Sequence, residues 1–254
     1  MRFAARVEYD GTGLAGFQVQ PGRRTVQGEL EAALRSIGGG ERIRIDGAGR
    51  TDAGVHASGQ VIAFTWSGRV IAAKVLGRAI RAVLPPDVTI GPLHRVGIGF
   101  QPRRAAVRRE YRYTIWNGPR SPLRERYALG VRERLDVSAM DSAAVALVGR
   151  HDFSAFGGKH IQPIRTLYGV RVRRKGRVVT IDVTGDAFLR QMVRSIVAAL
   201  LRIGHGEATM ADLEAALRSP DRVFAGQVAP PHGLCLRRVV LGGDPPVSIG
   251  KARG

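Results

Sequence analysis

The sequence predicts an α+β protein made of two halves that share the element order strand, helix, strand, strand, helix, strand. Three observations support this fold class. The chain has 254 residues, more than one compact domain usually contains. Short apolar segments bounded by glycine, proline or aspartate alternate with segments whose apolar residues recur at helical spacing. This order of segments occurs twice along the chain, which indicates two domains of related topology.

The first half contains six predicted elements. Residues 3–9 are apolar and end at Asp10-Gly11, which indicates a strand, and residues 25–36 form a helix with Thr25 as N-cap. The remaining elements are strands at 42–48 and 60–66, a helix at 70–83 that Pro85-Pro86 ends, and a strand at 88–96. This βαββαβ order is that of a ferredoxin-like domain, which we assign to residues 1–98.

The second half repeats this order with longer insertions. It contains predicted strands at 105–116, 167–174, 177–184 and 234–241, with a hairpin turn at Lys175-Gly176, and predicted helices at 140–148, 187–203 and 210–217. We therefore predict a second ferredoxin-like domain at residues 99–241 and a flexible tail at 242–254. Two such domains leave a cleft between their sheets, which suits an extended ligand.

A large positive charge is the main functional signal in the composition. The chain has 40 Lys and Arg against 21 Asp and Glu, a net charge of +19. Such an excess favours a polyanionic partner, nucleic acid first, and disfavours a metabolic enzyme of unrelated chemistry. Arginine outnumbers lysine, which suits phosphate contacts and base stacking but is equally explained by codon use in a GC-rich genome.

Cysteine usage and hydropathy indicate the compartment. The single cysteine, Cys235, cannot form an internal disulfide, and the chain does not open with a secretory signal pattern. The longest apolar run, residues 196–201, is too short to span a membrane. We expect a soluble, cytoplasmic protein.

Two charged insertions, at residues 117–126 and 157–165, interrupt the second half. A charged surface loop is most often only solvated. The alternative is a segment that grips RNA.

The segment GTGLAG at residues 11–16 matches a dinucleotide-binding fingerprint and follows a strand. The fingerprint requires its third glycine in the first turn of a helix, whereas here Pro21-Gly22 intervenes before the helix that begins near Thr25. We expect no cofactor. The six histidines lack i, i+4 spacing and no Gly-x-Ser-x-Gly elbow is present, so we expect neither a metal site nor a serine hydrolase.

Asp52 lies in a short polar stretch, with Arg50 and His56, between two apolar segments. Gly47, Gly49, Gly54 and Gly59 surround it and allow sharp turns or the close approach of a ligand. The residues themselves leave two interpretations open: a turn that an aspartate stabilises, or a functional carboxylate held ionised by its basic surroundings.

The chain resembles the tRNA pseudouridine synthase A family. The strongest match is GRTDAGVHASGQV at 49–61, and the other matching segments are YDGT at 9–12, GFQ at 16–18, TVQ at 25–27, LPPD at 84–87, REYRY at 109–113, GRHDF at 149–153 and FLRQMVR at 188–194. The similarity covers about residues 3–241.

This resemblance implies the reaction, its substrate and its site residues. The family has two ferredoxin-like domains with the active site in the cleft between them, acts as a homodimer without a cofactor, and converts uridines 38, 39 and 40 of the tRNA anticodon stem-loop to pseudouridine. Asp52 would be the nucleophile, or the base that starts an elimination, and Arg194 would pair with it. Tyr111 would stack on the flipped uracil, and Arg50 would hold the target nucleotide. Core packing for Tyr111 and a turn-holding role for Arg50 are the structural alternatives.

The chain departs from the family pattern at three positions. Gln101, within FQPR at 100–103, stands where histidine is usual, Leu14 replaces an aromatic residue and Arg190 replaces a histidine. These departures concern details of RNA contact. The rival functions are a pair of RNA-binding domains without chemistry, although the aromatic motifs of RRM domains are missing, and a synthase that acts on another RNA.

Overall fold

The computed structural model describes residues 1–40, 43–157, 162–218 and 227–243, which form two compact units. The first contains residues 1–107 and the described residues from Leu236 onwards, and the second contains residues 108–235. In chain order the elements are β1 Arg2–Tyr9, α1 Val26–Ile37, β2 Ile45–Gly47, β3 His56–Thr65, α2 Ala73–Val83, β4 Val88–Ile90, β5 His94–Val96, α3 Pro102–Ala105, β6 Ala106–Asn117, α4 Pro122–Glu125, β7 Leu129–Val131, α5 Val137–Ala144, β8 Gly149–Asp152, β9 Ile164–Lys175, β10 Val178–Gly185, α6 Met192–Gly204, α7 Met210–Arg218 and β11 Leu234–Leu241. The predicted α+β class is confirmed.

The sheet of the first unit has the strand order β4-β1-β3-β11, with β5 beside β1 and β2 beside β3. Strands β1 and β3 are antiparallel, with Phe3 opposite Phe64. Helix α1 begins as predicted, because the side chain of Thr25 accepts a hydrogen bond from the backbone N–H of Gly28 at 3.2 Å. Its apolar face, including Leu30 and Leu34, is buried.

The sheet of the second unit has the strand order β6-β10-β9-β8, and the short strand β7 runs parallel to β6. On β10, Val179, Ile181 and Val183 are fully buried, and they alternate with half-buried residues. Helix α5 packs on β9 and against α6. The Asp136 side chain caps α5 by accepting from the backbone N–H of Ala139 at 2.9 Å. The buried residues of β10 therefore lie on one face of the sheet, and the half-buried residues between them lie on the other.

Several predicted elements differ from those observed. The helix predicted at 187–203 begins only at Met192, because Gln191 has a left-handed backbone with φ of +63°. The strand predicted at 88–96 is split into β4 and β5 around Gly91-Pro92, where proline has no N–H to donate. The helix predicted at 140–148 spans 137–144, and a 3-10 turn follows it.

Other differences concern strands. The strand predicted at 60–66 begins four residues earlier, at His56, and strands β7 and β8 were not predicted. The described part of the strand predicted at 42–48 is shorter, at Ile45–Gly47. Part of the insertion at 157–165 and all but two residues of the predicted tail lie outside the described residues. Within the described ranges, no helix is both long and apolar enough to cross a membrane.

Candidate active site

Asp52 lies in the loop that joins β2 to β3, and its side chain is half-buried. The loop is fixed at its base by two hydrogen bonds. The backbone N–H of Ala48 donates to the carbonyl of Val61 at 2.8 Å, and the fully buried side-chain amide of Gln60 donates to the carbonyl of Gly49 at 2.9 Å. Arg50, which follows that carbonyl, is exposed. The loop is thus anchored immediately before the two polar residues that the sequence singled out.

The glycine-rich segment 11–17 packs directly against the Asp52 loop. The N–H of Phe17 donates to the carbonyl of Thr51 at 3.1 Å, and the N–H of Gly54 donates to the carbonyl of Leu14 at 3.2 Å. A Cβ at Gly11 would lie 2.2 Å from the carbonyl oxygen of Val55. Gly11 is therefore needed for the close approach of two protein backbones, which the fingerprint-like spacing did not reveal.

Buried polar contacts hold the residues on both sides of Asp52. The hydroxyls of Tyr9 and Thr51 are hydrogen-bonded at 2.8 Å, and the backbone N–H of Gly11 donates to Nδ1 of His56 at 3.0 Å. Thr51 and His56 are each only 7% exposed. Because buried polar groups are costly to leave unpaired, these contacts restrict the backbone around Asp52 to one arrangement.

Gly16 offers a direct test of this packing. Its φ is +97°, and a Cβ there would lie 2.8 Å from the carbonyl oxygen of Thr51. Gly16→Ala should destabilise the protein by about 1–3 kcal/mol and strongly reduce activity, because the Asp52 loop must shift. Gly22→Ala is the matched control, since Gly22 has φ of +66° but nothing within 4 Å of the added Cβ. Thermal unfolding of both variants measures the cost of backbone strain, which the two share. A loss of turnover in Gly16→Ala alone reports displacement of the Asp52 loop. Equal activity in the two variants would contradict the proposed dependence of the Asp52 loop on its packing against Gly16.

The ion pair between Arg24 and Asp87 stabilises the glycine-rich segment, because the backbones of both residues are hydrogen-bonded to it or to its neighbour Asp10. Arg24 donates to both carboxylate oxygens of Asp87 at 2.6 and 2.7 Å and to Glu29 at 2.7 Å. The backbone carbonyl of Arg24 accepts from the N–H of Ala15, and the carbonyl of Asp87 accepts from the N–H of Asp10. The bidentate guanidinium holds the pKa of the Asp87 carboxyl below its usual range.

This ion pair should make stability depend on pH. A carboxyl whose pKa is lower in the folded state stabilises the protein above its unfolded pKa of about 4, and this contribution is lost as the pH falls through the folded pKa. We expect Asp87→Asn to lower the free energy of unfolding by about 1 kcal/mol near pH 7. The difference from the wild type should vanish in acid. Urea unfolding of both proteins at several pH values checks this, and a difference that persists in acid would assign the effect to packing.

Tyr111 and Arg194, the other predicted site residues, both lie in the second unit. The half-buried ring of Tyr111 on β6 meets Phe188 edge to face, with ring centroids 5.2 Å apart. Arg194, in the first turn of α6, donates from Nε to the carbonyl of Ala229 at 2.6 Å. The structure thus places Asp52 and Arg50 in one loop of the first unit, and gives Tyr111 and Arg194 fixed neighbours within the second.

The segment at 229–230 is also held by Tyr113, whose hydroxyl donates to the carbonyl of Pro230 at 2.9 Å. Burial raises the pKa of Tyr113 far above its usual value, so the hydroxyl remains a donor even in alkaline solution. Arg194 and Tyr113 therefore hold consecutive carbonyls of one segment. Neither contact could be anticipated from the sequence, because more than thirty residues separate Arg194 from Ala229.

The three departures from the family pattern occupy different environments. Leu14 is buried at 4% exposure, beside the Asp52 loop to which its carbonyl is bonded. Gln101 is an exposed N-cap of α3, and Arg190 is exposed just before α6. Among the described residues, no group of three or more His, Cys, Asp or Glu side chains could hold a metal ion.

Comparison with known proteins defines the class to which this fold and these residues belong. A family model described as tRNA pseudouridine synthase matches residues 5–101 and 143–240. The chain therefore belongs to the tRNA pseudouridine synthase family, whose members are isomerases.

Individual relatives are similar over nearly their whole length. The tRNA pseudouridine synthase A of Shouchella clausii is 42% identical over 245 residues, which cover 95% of this chain and 94% of the relative. The protein of the same name from Thermosipho melanesiensis is 43% identical, with 94% and 99% covered, and that from Geotalea uraniireducens is 40% identical, with 92% and 96% covered. The predicted family resemblance is confirmed.

Proposed function

We propose that this protein converts uridine to pseudouridine in tRNA, at positions 38, 39 and 40 of the anticodon stem-loop, with Asp52 as the nucleophile. The observation that carries the proposal is the half-buried Asp52 carboxylate on a loop whose flanking residues, Thr51 and His56, are tied by buried hydrogen bonds. A catalytic group must be held in its productive geometry by the residues around it. The names of the relatives support tRNA as the substrate.

The reaction is an isomerisation, so every bond that breaks is matched by one that forms. The N1–C1′ glycosidic bond breaks, a C5–C1′ bond forms, and the proton on C5 leaves while N1 gains one. In the proposed route the Asp52 carboxylate attacks C1′ as the uracil departs, and the rotated uracil then displaces it. In the alternative route the same carboxylate removes a proton to begin an elimination. Neither route oxidises, reduces or transfers a group, so the stoichiometry requires no cofactor.

The other site residues act on the target nucleotide in this proposal. Tyr111 stacks on the flipped uracil, and its ring is already oriented by Phe188. Arg50 holds the flipped nucleotide through its phosphate, for which its exposed position is suitable. Arg194 pairs with the Asp52 carboxylate in this proposal, since a guanidinium is a strong hydrogen-bond donor to a carboxylate. We further propose that the enzyme acts in the cytoplasm as a homodimer.

The direct test uses tRNA transcripts labelled with tritium at C5 of uracil. We expect the purified protein to release tritium without added cofactor or metal, and sequencing of the product to locate pseudouridine at positions 38, 39 and 40. Light scattering should report a dimer. Absence of tritium release from every tRNA, combined with tight salt-sensitive binding, would refute the proposal and favour an RNA-binding protein without chemistry.

A further inference from the structure

The insertion at residues 117–126 is an ordered part of the second unit. Asn117 anchors it: the side-chain amide donates to the carbonyls of Val131 and Glu133 at 3.0 and 2.6 Å. The N–H of Gly118 also donates to the carbonyl of Val131, and β7 pairs in parallel with the end of β6. The insertion is thus fixed to the sheet at both of its ends.

Arginines and aromatic rings are paired on this insertion. The guanidinium carbon of Arg124 lies 5.1 Å from the ring centroid of Trp116, and that of Arg126 lies 5.5 Å from the ring of Tyr127. The Trp116 ring is oriented by its Nε1–H, which donates to the carbonyl of Pro119 at 2.8 Å. Both arginines are exposed, and Tyr127 is 48% exposed. Stacking restricts an arginine without removing its hydrogen-bond donors, so these side chains are preorganised for a planar or anionic ligand.

The neighbouring sheet face extends the positive charge. On the face opposite the buried residues of β10, the strand register aligns Trp116 with Val178 and Lys175, and Thr114 with Thr180 and Arg173. The next row contains Asp182, but Arg112 binds this carboxylate with both Nε and Nη2, at 2.7 and 3.0 Å. We name the set the arginine–aromatic patch; it consists of Trp116, Arg124, Arg126, Tyr127, Arg173 and Lys175.

The patch is separate from the proposed catalytic residue on the same strand. Tyr111 precedes Trp116 by five residues, a separation of about 17 Å along a strand. The two residues also point to opposite faces, because side chains alternate along β6. A ligand of the patch is therefore not the target nucleotide itself.

We propose that the arginine–aromatic patch binds a segment of the RNA substrate other than the target nucleotide, through phosphates on its arginines and an unpaired base on its aromatic rings. This inference rests on the proposed function, which supplies a tRNA as substrate. A second copy of the chain is the competing occupant of such a surface. A two-fold interface centred on this patch would place its positive charge against itself, which disfavours a second copy and favours a polyanion.

The test compares variants that differ only in where charge is removed. Binding of an unmodified tRNA transcript is measured by fluorescence anisotropy over a series of salt concentrations. We expect the double variant Arg124→Gln, Arg126→Gln to raise Kd about tenfold and to reduce the salt slope by about 1.5–2, since each phosphate contact contributes about 0.7–0.9. The control double variant Arg35→Gln, Arg218→Gln loses equal charge from two exposed helix ends and should leave the slope unchanged.

A neutral substitution tests the aromatic part of the patch. Tyr127→Ala should raise Kd about fivefold or more, because a stacked base is lost, without changing the salt slope. In tritium-release assays both patch variants should raise KM while kcat at saturating tRNA stays unchanged. This split distinguishes a binding surface from damage to the fold.

Three outcomes would overturn the inference. Patch variants that match the control, in a wild type that modifies tRNA, would leave the insertion a solvated loop. Weaker binding accompanied by a change from dimer to monomer in light scattering would assign the patch to an interface between copies. A lower kcat with unchanged KM would place its effect on catalysis. Failure of the proposed function gives a different result: the wild-type protein would then release no tritium from any tRNA.

Discussion

Asp52→Asn should abolish turnover while leaving the fold and RNA binding intact. The amide keeps the size and shape of the carboxylate but is neither a nucleophile at C1′ nor a base. We expect kcat/KM to fall at least roughly 10,000-fold, which corresponds to about 5 kcal/mol of transition-state stabilisation. Tritium release measures turnover. The Kd for tRNA should stay the same or fall slightly, because the lost charge is negative and opposed RNA binding.

The control for this variant is Asp46→Asn, six residues earlier in the chain. Asp46 is in β2, is about half-exposed, and pairs with Arg2 at 2.6 Å. Its replacement removes the same charge from the same unit and should cost about 1 kcal/mol of stability or less, without affecting turnover. Substantial residual activity in Asp52→Asn would assign the chemistry to another group.

Tyr111→Ala should produce the second largest loss. The substitution removes the ring proposed to stack on the flipped uracil and also its contact with Phe188. Because such stacking is worth about 1–3 kcal/mol, kcat/KM should fall about 10- to 100-fold. Tyr111→Phe keeps the ring and serves as the matched variant: it should retain most of the activity if stacking is the role of this residue. Single-turnover tritium release compares the three proteins.

A large loss in Tyr111→Phe would instead indicate that the hydroxyl takes part in the reaction. Thermal unfolding of both variants completes the comparison. A decrease in stability restricted to Tyr111→Ala reports the lost packing against Phe188. The activity of this variant is then compared with that of the wild type at a temperature where both are folded.

Local patterns predicted most of the secondary structure because their causes are local. The apolar spacing and the Thr25 cap placed α1 correctly, and the glycine after Lys175 adopts φ of +60° between β9 and β10, where the hairpin turn was predicted. The errors occur where the backbone departs from a simple pattern. Gln191 has a left-handed backbone conformation, which is usually adopted by glycine or asparagine. Residues 187–191 include neither, so the sequence did not predict that α6 begins as late as Met192.

The candidate site was only partly accessible to residue-level reasoning. Composition and glycine density drew attention to Asp52 but left a simple turn as an equal alternative, and the family resemblance decided between them. The contacts that fix the loop join Tyr9 to Thr51 and Gly11 to His56, across more than forty residues. No local periodicity encodes such pairings. Helix α1 begins only at Val26, after the GTGLAG segment, as predicted, yet the role of this segment against the loop required the structure.

The position of β11 has a consequence for biosynthesis. This strand, at residues 234–241, lies beside β3 of the first unit, and the second unit is inserted in the chain before it. A Cβ at Gly59 of β3 would lie 2.1 Å from the carbonyl oxygen of Arg237, which shows how closely the late strand approaches. While the chain emerges from the ribosome, part of one edge of β3 therefore lacks its partner β11 until the whole second unit has been synthesised. Unpaired edges promote association between nascent chains, so the yield of active protein should depend on translation speed and chaperones more than that of a protein with contiguous domains.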